Sequence, residues 1–332
     1  MISVIKRSLR KKLSRGVIGM QAMVRYHLIR GRLLSMLGDE KFAQRSHRKS
    51  VGSALNLENP MTFDERQWWL KINYRDPLMI QCTDKIAVRE FVEERGLGHI
   101  LTPLLAVYDR PSDIDWSALP SRFYMKTNHS SATNIRCDDL ASFDTRRAKA
   151  LLDIHLQRKH YLISREWNYR GIRPRVMVEP IIETDAKDGL IDYRFLCSYG
   201  ECRGIFVDLN TAGEHGEHRA DARRNVYDSD WNLLKVRVSR PTVEDRVIDR
   251  PAMLAEMIAM AETLSRPFPF CRVDLYQPTD NQIIFGEMTF FHSGGNNRIW
   301  PDEYQRVLGS WIDFSRVRRE LNSRGEAGGL VA

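Results

Sequence analysis

Two apolar runs in the C-terminal third, Phe270 to Tyr276 and Ile283 to Thr289, read as strands joined through Gln277-Pro278-Thr279-Asp280-Asn281 into a hairpin. Each carries one acid, Asp274 and Glu287, among residues that otherwise favour burial. A buried unpaired carboxylate is costly, and two arrangements relieve it. The acids share a cation between neighbouring strands, with Mg²⁺ suited to their hard oxygens and to ligands borrowed from phosphates. Alternatively they form structural pairs, Asp274 with Arg272 and Glu287 with a nearby lysine. The pattern leaves both open.

A second hairpin is expected from Ile191–Gly200 and Cys202–Leu209 around Gly200-Glu201, again with charges, Asp192, Arg194 and Asp208, at strand positions. Further strands are expected over 102–108, over 122–126, and over 175–182 with a change of direction at Pro180. The strand ending at Lys126 leads into Thr127-Asn128-His129-Ser130-Ser131-Ala132-Thr133-Asn134. Small polar residues behind a lysine suit a loop over phosphate oxygens, and equally suit an ordinary surface hairpin. The loop lacks both the Gly-Lys-Ser/Thr ending of a P-loop and the Rossmann glycines.

Helical spacing begins at Thr62, which with Glu65 forms a capping-box pair ahead of Trp68, Trp69 and Leu70. Other helices are expected over Asp84–Val92, stopped by Gly96 and Gly98, over Thr145–His160 and over Ala252–Leu264. Ser164 to Arg170 reads as a turn, and the segment beyond Asp313 as a frayed tail.

Charge changes the picture at the N-terminus. Of 51 basic residues, 13 lie within 1–50 beside only two of the 43 acids, which leaves 38 against 41 for the rest. The body is near neutral and does not suit a nucleic-acid groove. Met1 to Leu37 reads as basic amphipathic helix with neither an apolar run of ~20 residues nor a signal-peptide core. Such a helix either extends in solvent over the body or lies on a partner or an anionic inner leaflet. Five cysteines, scattered and never in a Cys-x-x-Cys spacing, fit a reducing cytoplasm. His215 and His218 have a weak zinc spacing, whereas Arg223 and Arg224 are better candidates for an anionic substrate.

Taken in order, the pieces Asn59-Pro-Met-Thr-Phe63, Asp84-Lys85-x-x-Val88-Arg89, Lys126-Thr-Asn128-His129, Ser164-Arg-Glu166-Trp167, Glu179, Asp192-Tyr-Arg194-Phe195, Tyr227-Asp-x-Asp-Trp-Asn232, Phe268-Pro-Phe-x-Arg272-Val-Asp274-Leu-Tyr276 and Gly286-Glu287-x-Thr289-Phe290 resemble the TupA-like ATP-grasp family, named for teichuronopeptide biosynthesis. The resemblance implies an α+β fold in which two subdomains clamp ATP. The expected divisions are a basic helical extension at 1–50, an N-terminal subdomain at 51–120, a small lid subdomain at 121–185, a C-terminal subdomain with the metal site at 186–313, and a flexible tail at 314–332.

The implied activity is an ATP- and Mg²⁺-dependent joining of a carboxylate to an amine through an acyl phosphate. By resemblance Asp274, Glu287 and Thr289 take the metal positions. Lys126 meets phosphate or adenine under a loop containing His129, Ser130 and Ser131. Glu179 and the backbone to Ile181 hold the adenine edge, and Asp192 lies near ribose or phosphates. Arg194 and Arg272 stabilise the oxyanions, and Ser293 and Gly294 mark the acceptor side. The chain departs from the pattern in a glycine-poor loop, in Arg194 where many relatives carry Lys, in Thr289 where better-known ligases carry Asn, and in His292-Ser293 where a Pro-Gly-like pair is usual. Two other readings compete. One is a glycosyltransferase or other transferase, for which Asp228-Ser229-Asp230 would be the metal motif; the other is a nucleotide-binding pseudo-ligase.

Overall fold

The computed structural model describes residues 16–131, 133–184, 186, 189–211, 219 and 221–327, with backbone alone for 324–327. Twelve strands are present among these residues: β1 (Ala106–Tyr108), β2 (Phe123–Thr127), β3 (Ile135–Cys137), β4 (Val176–Glu179), β5 (Asp192–Ser198), β6 (Glu201–Leu209), β7 (Arg223–Tyr227), β8 (Leu233–Leu234), β9 (Arg237–Val238), β10 (Cys271–Thr279), β11 (Gln282–Thr289) and β12 (Ile299–Trp300). A small antiparallel sheet has the order β1-β4-β2-β3, and a larger one the order β11-β10-β5-β6-β7-β8. With the helices around them, these two sheets make the expected α+β architecture.

Strand alternation fixes the faces of the larger sheet. Val273 and Leu275 on β10, Phe195 and Cys197 on β5, and Ile205 and Val207 on β6 are buried together with Met257, Ala261 and Leu264 of the helix Leu254–Ser265. The opposite face carries the charges Asp192, Arg194, Asp208, Arg272 and Asp274, together with the buried apolar Leu196 and Phe206. The small sheet has its own core of Phe123, Met125, Val176 and Val178 against Leu152 of the helix Thr145–Leu156.

The expected helix from Thr62 is present as Phe63–Asn73, and both halves of its capping box form. A cap of this kind contributes about 1 kcal/mol. Asp84 does not open a helix. Its Oδ1 accepts from the N–H groups of Ile86 at 2.9 Å and Ala87 at 3.4 Å, a local turn that delays the helix to Val88–Glu93. The strand expected over 102–108 shortens to β1, because Thr102 turns its hydroxyl to Glu179 (3.1 Å) and its carbonyl to Arg89 (2.7 Å).

The helix expected to His160 ends at Leu156, and a second short one, His160–Ser164, follows. The division expected at 120 cuts through one packing unit, since Ile114 and Leu119 belong to the small-sheet core. Residues from Phe63 to Ile100 share the core of the larger sheet. Beyond Asp313 the chain forms the helix Phe314–Ala327 rather than fraying. Phe314 meets Trp69 edge-on at 4.7 Å and Val317 is fully buried, which ties this helix down. Among the described residues no helix is long and apolar enough to cross a membrane.

Candidate functional site

The charged face of the larger sheet gathers Asp192 and Arg194 from β5, Asp208 from β6, Arg224 from β7, Arg272 and Asp274 from β10, and Glu287 and Thr289 from β11. Register sets their neighbours. Asp274 lies directly opposite both Glu287 and Arg194, and Asp192 lies opposite Asp208. Gly286 makes the first pairing close. It is the extra residue where the β10–β11 register shifts, and a Cβ there would stand 3.1 Å from the Asp274 carbonyl and 2.9 Å from the Tyr276 ring.

Arg272 donates twice to Asp274, Nε to Oδ1 and Nη2 to Oδ2, both at 2.6 Å, and Nη2 also reaches Glu287 at 3.2 Å. Arg224 makes the same fork onto Asp208, both bonds 2.6 Å, and Arg240 adds a third at 2.8 Å. Arg194 stands between the groups, 3.1 Å from Asp208, 3.4 Å from Asp192 and 3.7 Å from Asp274. Lys85 pairs with the second oxygen of Glu287 at 3.2 Å. Five cations therefore meet four carboxylates, one positive charge in excess. The structural pairing considered for Asp274 with Arg272, and for Glu287 with a lysine, is thus realised.

Titration follows from these contacts. Burial pushes Asp274 up, to about 6, against the pull of Arg272 and Arg194. Burial also raises Glu287, but Lys85 and Arg272 outweigh it and hold this carboxyl at about 2. Asp208 lies well below the usual carboxylate range, because Arg224 and Arg194 overcome its burial.

His292 is wedged between two guanidinium groups. Its Nδ1 is 2.7 Å from Arg272 Nη1 and its Nε2 is 3.0 Å from Arg224 Nη1. Burial and the surrounding arginines hold it far below its ordinary pKa, so the ring is neutral. A neutral imidazole accepts at one nitrogen only, so one guanidinium faces a ring N–H.

The loop between β2 and β3 faces this cluster across Lys85, whose ammonium lies 3.4 Å from the Ser130 carbonyl as well as beside Glu287. Asn128 fixes the loop's root. Its amide donates to Asp84 at 2.9 Å and to the Arg173 carbonyl at 3.0 Å, and its oxygen accepts from the Arg175 N–H at 2.7 Å. Burial takes His129 down to about 4, so its neutral ring donates from Nε2 to the Arg158 carbonyl at 3.2 Å. Ser131 offers its carbonyl to Arg158 at 3.1 Å. Lys126 and Glu179 form an ion pair with each other on the small sheet. Ile181, half-buried, follows just past the end of β4.

The adjacent charges Arg223 and Arg224 are split by alternation. Arg224 is in the cluster, whereas Arg223 is exposed and donates to the Thr242 carbonyl at 3.1 Å. Ser293 and Gly294 lie in a turn, His292–Gly295, with left-handed φ of 51° and 62°. The fully buried Lys71 grips that turn through the Gly294 carbonyl at 2.7 Å and also donates to the Ser164 carbonyl at 3.3 Å. Asp228 spends its carboxylate on the turn after β7, accepting from the N–H groups of Asp230 and Asn232, and so caps a loop. His215 and His218 lie outside the described residues. Sequence reasoning missed the parts played by His292, Lys85 and Arg240, whose partners are distant in the chain.

Asp274, Glu287 and the Thr289 hydroxyl, which donates to Glu287 at 3.2 Å, form a donor set of two carboxylates and a hydroxyl. Such a set fits Mg²⁺ accompanied by phosphate, which normally takes one or two protein carboxylates. Among the described residues no group of three or more His, Cys, Asp or Glu side chains is placed to hold a metal.

Residues 65–313 match the family model described as TupA-like ATPgrasp. No curated protein is matched. Solved structures with similar folds include an L-amino acid ligase from Bacillus licheniformis, 14% identical with a TM-score of 0.42 over 70% of this chain and 49% of that one. A D-alanine–D-alanine ligase from Helicobacter pylori is 11% identical, with a TM-score of 0.37 over 70% and 61%. The ATP-grasp ligase PsnB, solved with Mg, ADP and a variant of its minimal precursor, is 10% identical, with a TM-score of 0.33 over 67% and 56%. The chain thus spans about half the length of the first of these ligases. With three quarters of its length inside the family model, the chain belongs to the TupA-like ATP-grasp family.

Proposed function

We propose that the protein is an ATP- and Mg²⁺-dependent carboxylate–amine ligase that forms an acyl phosphate and joins an amino acid to a sugar acid or peptide in cell-surface polysaccharide assembly. The observation that carries the chemistry is the cationic excess around a neutral His292, which favours anionic reactants. The polymer context rests on the family's name alone.

In this reading a carboxylate oxygen of the first substrate attacks the γ-phosphorus of ATP, and the bond to ADP breaks. The amine then attacks the acyl carbon, phosphate leaves with the bonding pair, and the amine gives up a proton. Such steps depend on positioning and on donors aimed at developing charge rather than on an enzyme nucleophile. Arg272 and Arg194 stabilise the transferred phosphoryl group and the tetrahedral oxyanion, while Arg224 holds the substrate carboxylate beside His292. Lys126, His129, Ser130 and Ser131 cover the phosphates, Glu179 and Ile181 take the adenine, and Asp192 takes the ribose side. When bound at Asp274, Glu287 and Thr289, Mg²⁺ supplies charge neutralisation on the phosphates. Ser293 and Gly294 border the amine. Arg223, exposed and bonded to the Thr242 carbonyl, is left outside this reading.

The test is ADP release from Mg·ATP against a panel of uronic acids and amino acids. ADP formed only when both a carboxylate and an amine are present supports ligation, and Asp274→Asn is expected to lower the rate about 10²–10³-fold. AMP with pyrophosphate, or turnover of a nucleotide sugar without ATP, defeats the reading. Nucleotide binding with no turnover on any pair points to a pseudo-ligase.

A further inference from the structure

The helix Val17–Ser35 carries two unlike faces. One is fastened to the body. Val24 and Gly31 are buried, and Gly31 packs so closely on the short helix His160–Ser164 that a Cβ would stand 2.7 Å from Leu162 Cβ. The buried Arg165 donates to the carbonyls of Leu34 and Leu37, both at 2.9 Å, and so holds the end of the helix.

The other face is solvent-exposed and apolar. Ile18, Tyr26, Ile29, Leu33 and Met36 are each 59% to 87% exposed. At about 100° per residue they fall within about 80° of arc, one stripe along the helix. Since the opposite face is packed, the stripe cannot turn inward.

The charge on the helix itself has one sign. Arg25 and Arg32 lie along one edge and Arg30 along the other, and the helix contains no acid. The fifteen residues before it hold six Lys or Arg and no Asp or Glu. On the next helix, Asp39–Ser50, Lys41, Arg45, Arg48 and Lys49 form an exposed basic ridge that outnumbers its two acids, Asp39, engaged by Arg165 at 3.5 Å, and the exposed Glu40.

We propose that Val17–Ser35 docks the protein on an anionic lipid surface, its apolar stripe entering the boundary between headgroups and acyl chains and its arginines meeting lipid phosphates. A narrow apolar stripe rimmed by basic residues is the pattern of a helix lying in a membrane interface. A second copy of the helix fits less well, because like charges would face one another across the stripe with no acid between them. A free polyanion would satisfy the arginines and leave five large apolar side chains in water. The proposal stands independently of the ligase reading.

Sedimentation of the full chain with vesicles tests it. Vesicles containing phosphatidylglycerol are expected to bind the protein at least ~10-fold more tightly than pure phosphatidylcholine, with the difference shrinking as salt screens the charges. I29D/L33D and R25E/R32E should each abolish most of the binding and leave the unfolding temperature unchanged, since these side chains are not buried in the fold. Equal binding to the two vesicle types, or undiminished binding by I29D/L33D, overturns the proposal. So does a concentration-dependent dimer that I29D/L33D abolishes without any lipid binding, or binding to RNA alone.

Discussion

Asp274 and Glu287 face one another across β10 and β11 with the same functional group and opposite titration. Asp274, pushed up to about 6, protonates first. A neutral carboxyl loses the fork from Arg272 and is a poor metal ligand, so kcat/KM is expected to fall as pH drops through about 6, with Glu287 still charged throughout. A pH–rate profile checks this: activity held constant down to pH 5 would remove Asp274 from the reaction. These two acids and Arg272 were legible in the sequence because a charge inside an apolar strand run needs a partner. His292 was not, since its meaning comes from Arg224 and Arg272, 68 and 20 residues away in the chain.

Strands bring a conflict of their own. Pairing β5 with β6 sets Asp192 against Asp208, and like charges directly opposite are destabilising. Arg194, Arg224 and Arg240 resolve it, and the first two stand on the paired strands or their neighbour. Asp208→Asn would leave these guanidinium groups short of an acceptor in a buried place and is expected to cost about 3–5 kcal/mol in urea denaturation. The sign with pH is fixed by the lowered pKa of Asp208. Its stabilisation is complete above the unfolded carboxylate value and fades as pH falls toward the folded one. A wild-type protein that loses no more stability in acid than the variant does would contradict this. Both hairpins were legible from alternation. The helix expected at Asp84 was not, because the side chain of Asp84 supplies the backbone with competing hydrogen bonds.

At the scale of the molecule, the sequence placed the boundary between the N-terminal and lid subdomains, at 120, inside one core, since β1 joins β4 only through long-range pairing. The excess positive charge on the larger sheet bears on ligand order. Mg²⁺ alone enters a region already over-neutralised, whereas Mg·ATP brings the missing negative charge. Thermal denaturation is expected to show no rise in Tm with Mg²⁺ alone and a clear rise with Mg·ATP, about 2.7 kcal/mol of added stability at a hundredfold excess over Kd. A rise with Mg²⁺ alone would mean that the acids bind metal without phosphate.

The short helix His160–Ser164 is a shared footing. Leu162 bears the outer helix at Gly31, and the Ser164 carbonyl accepts from Lys71, whose other bond holds the turn at Gly294. If the outer helix rests on a bilayer, the turn is held at a set height above it. If the ligase reading also holds, the fold would set the distance from the bilayer to the site, and an acceptor carried on a lipid would be chosen by the length of its stem. Acceptors differing only in that length should show a sharp optimum on vesicles and none in free solution.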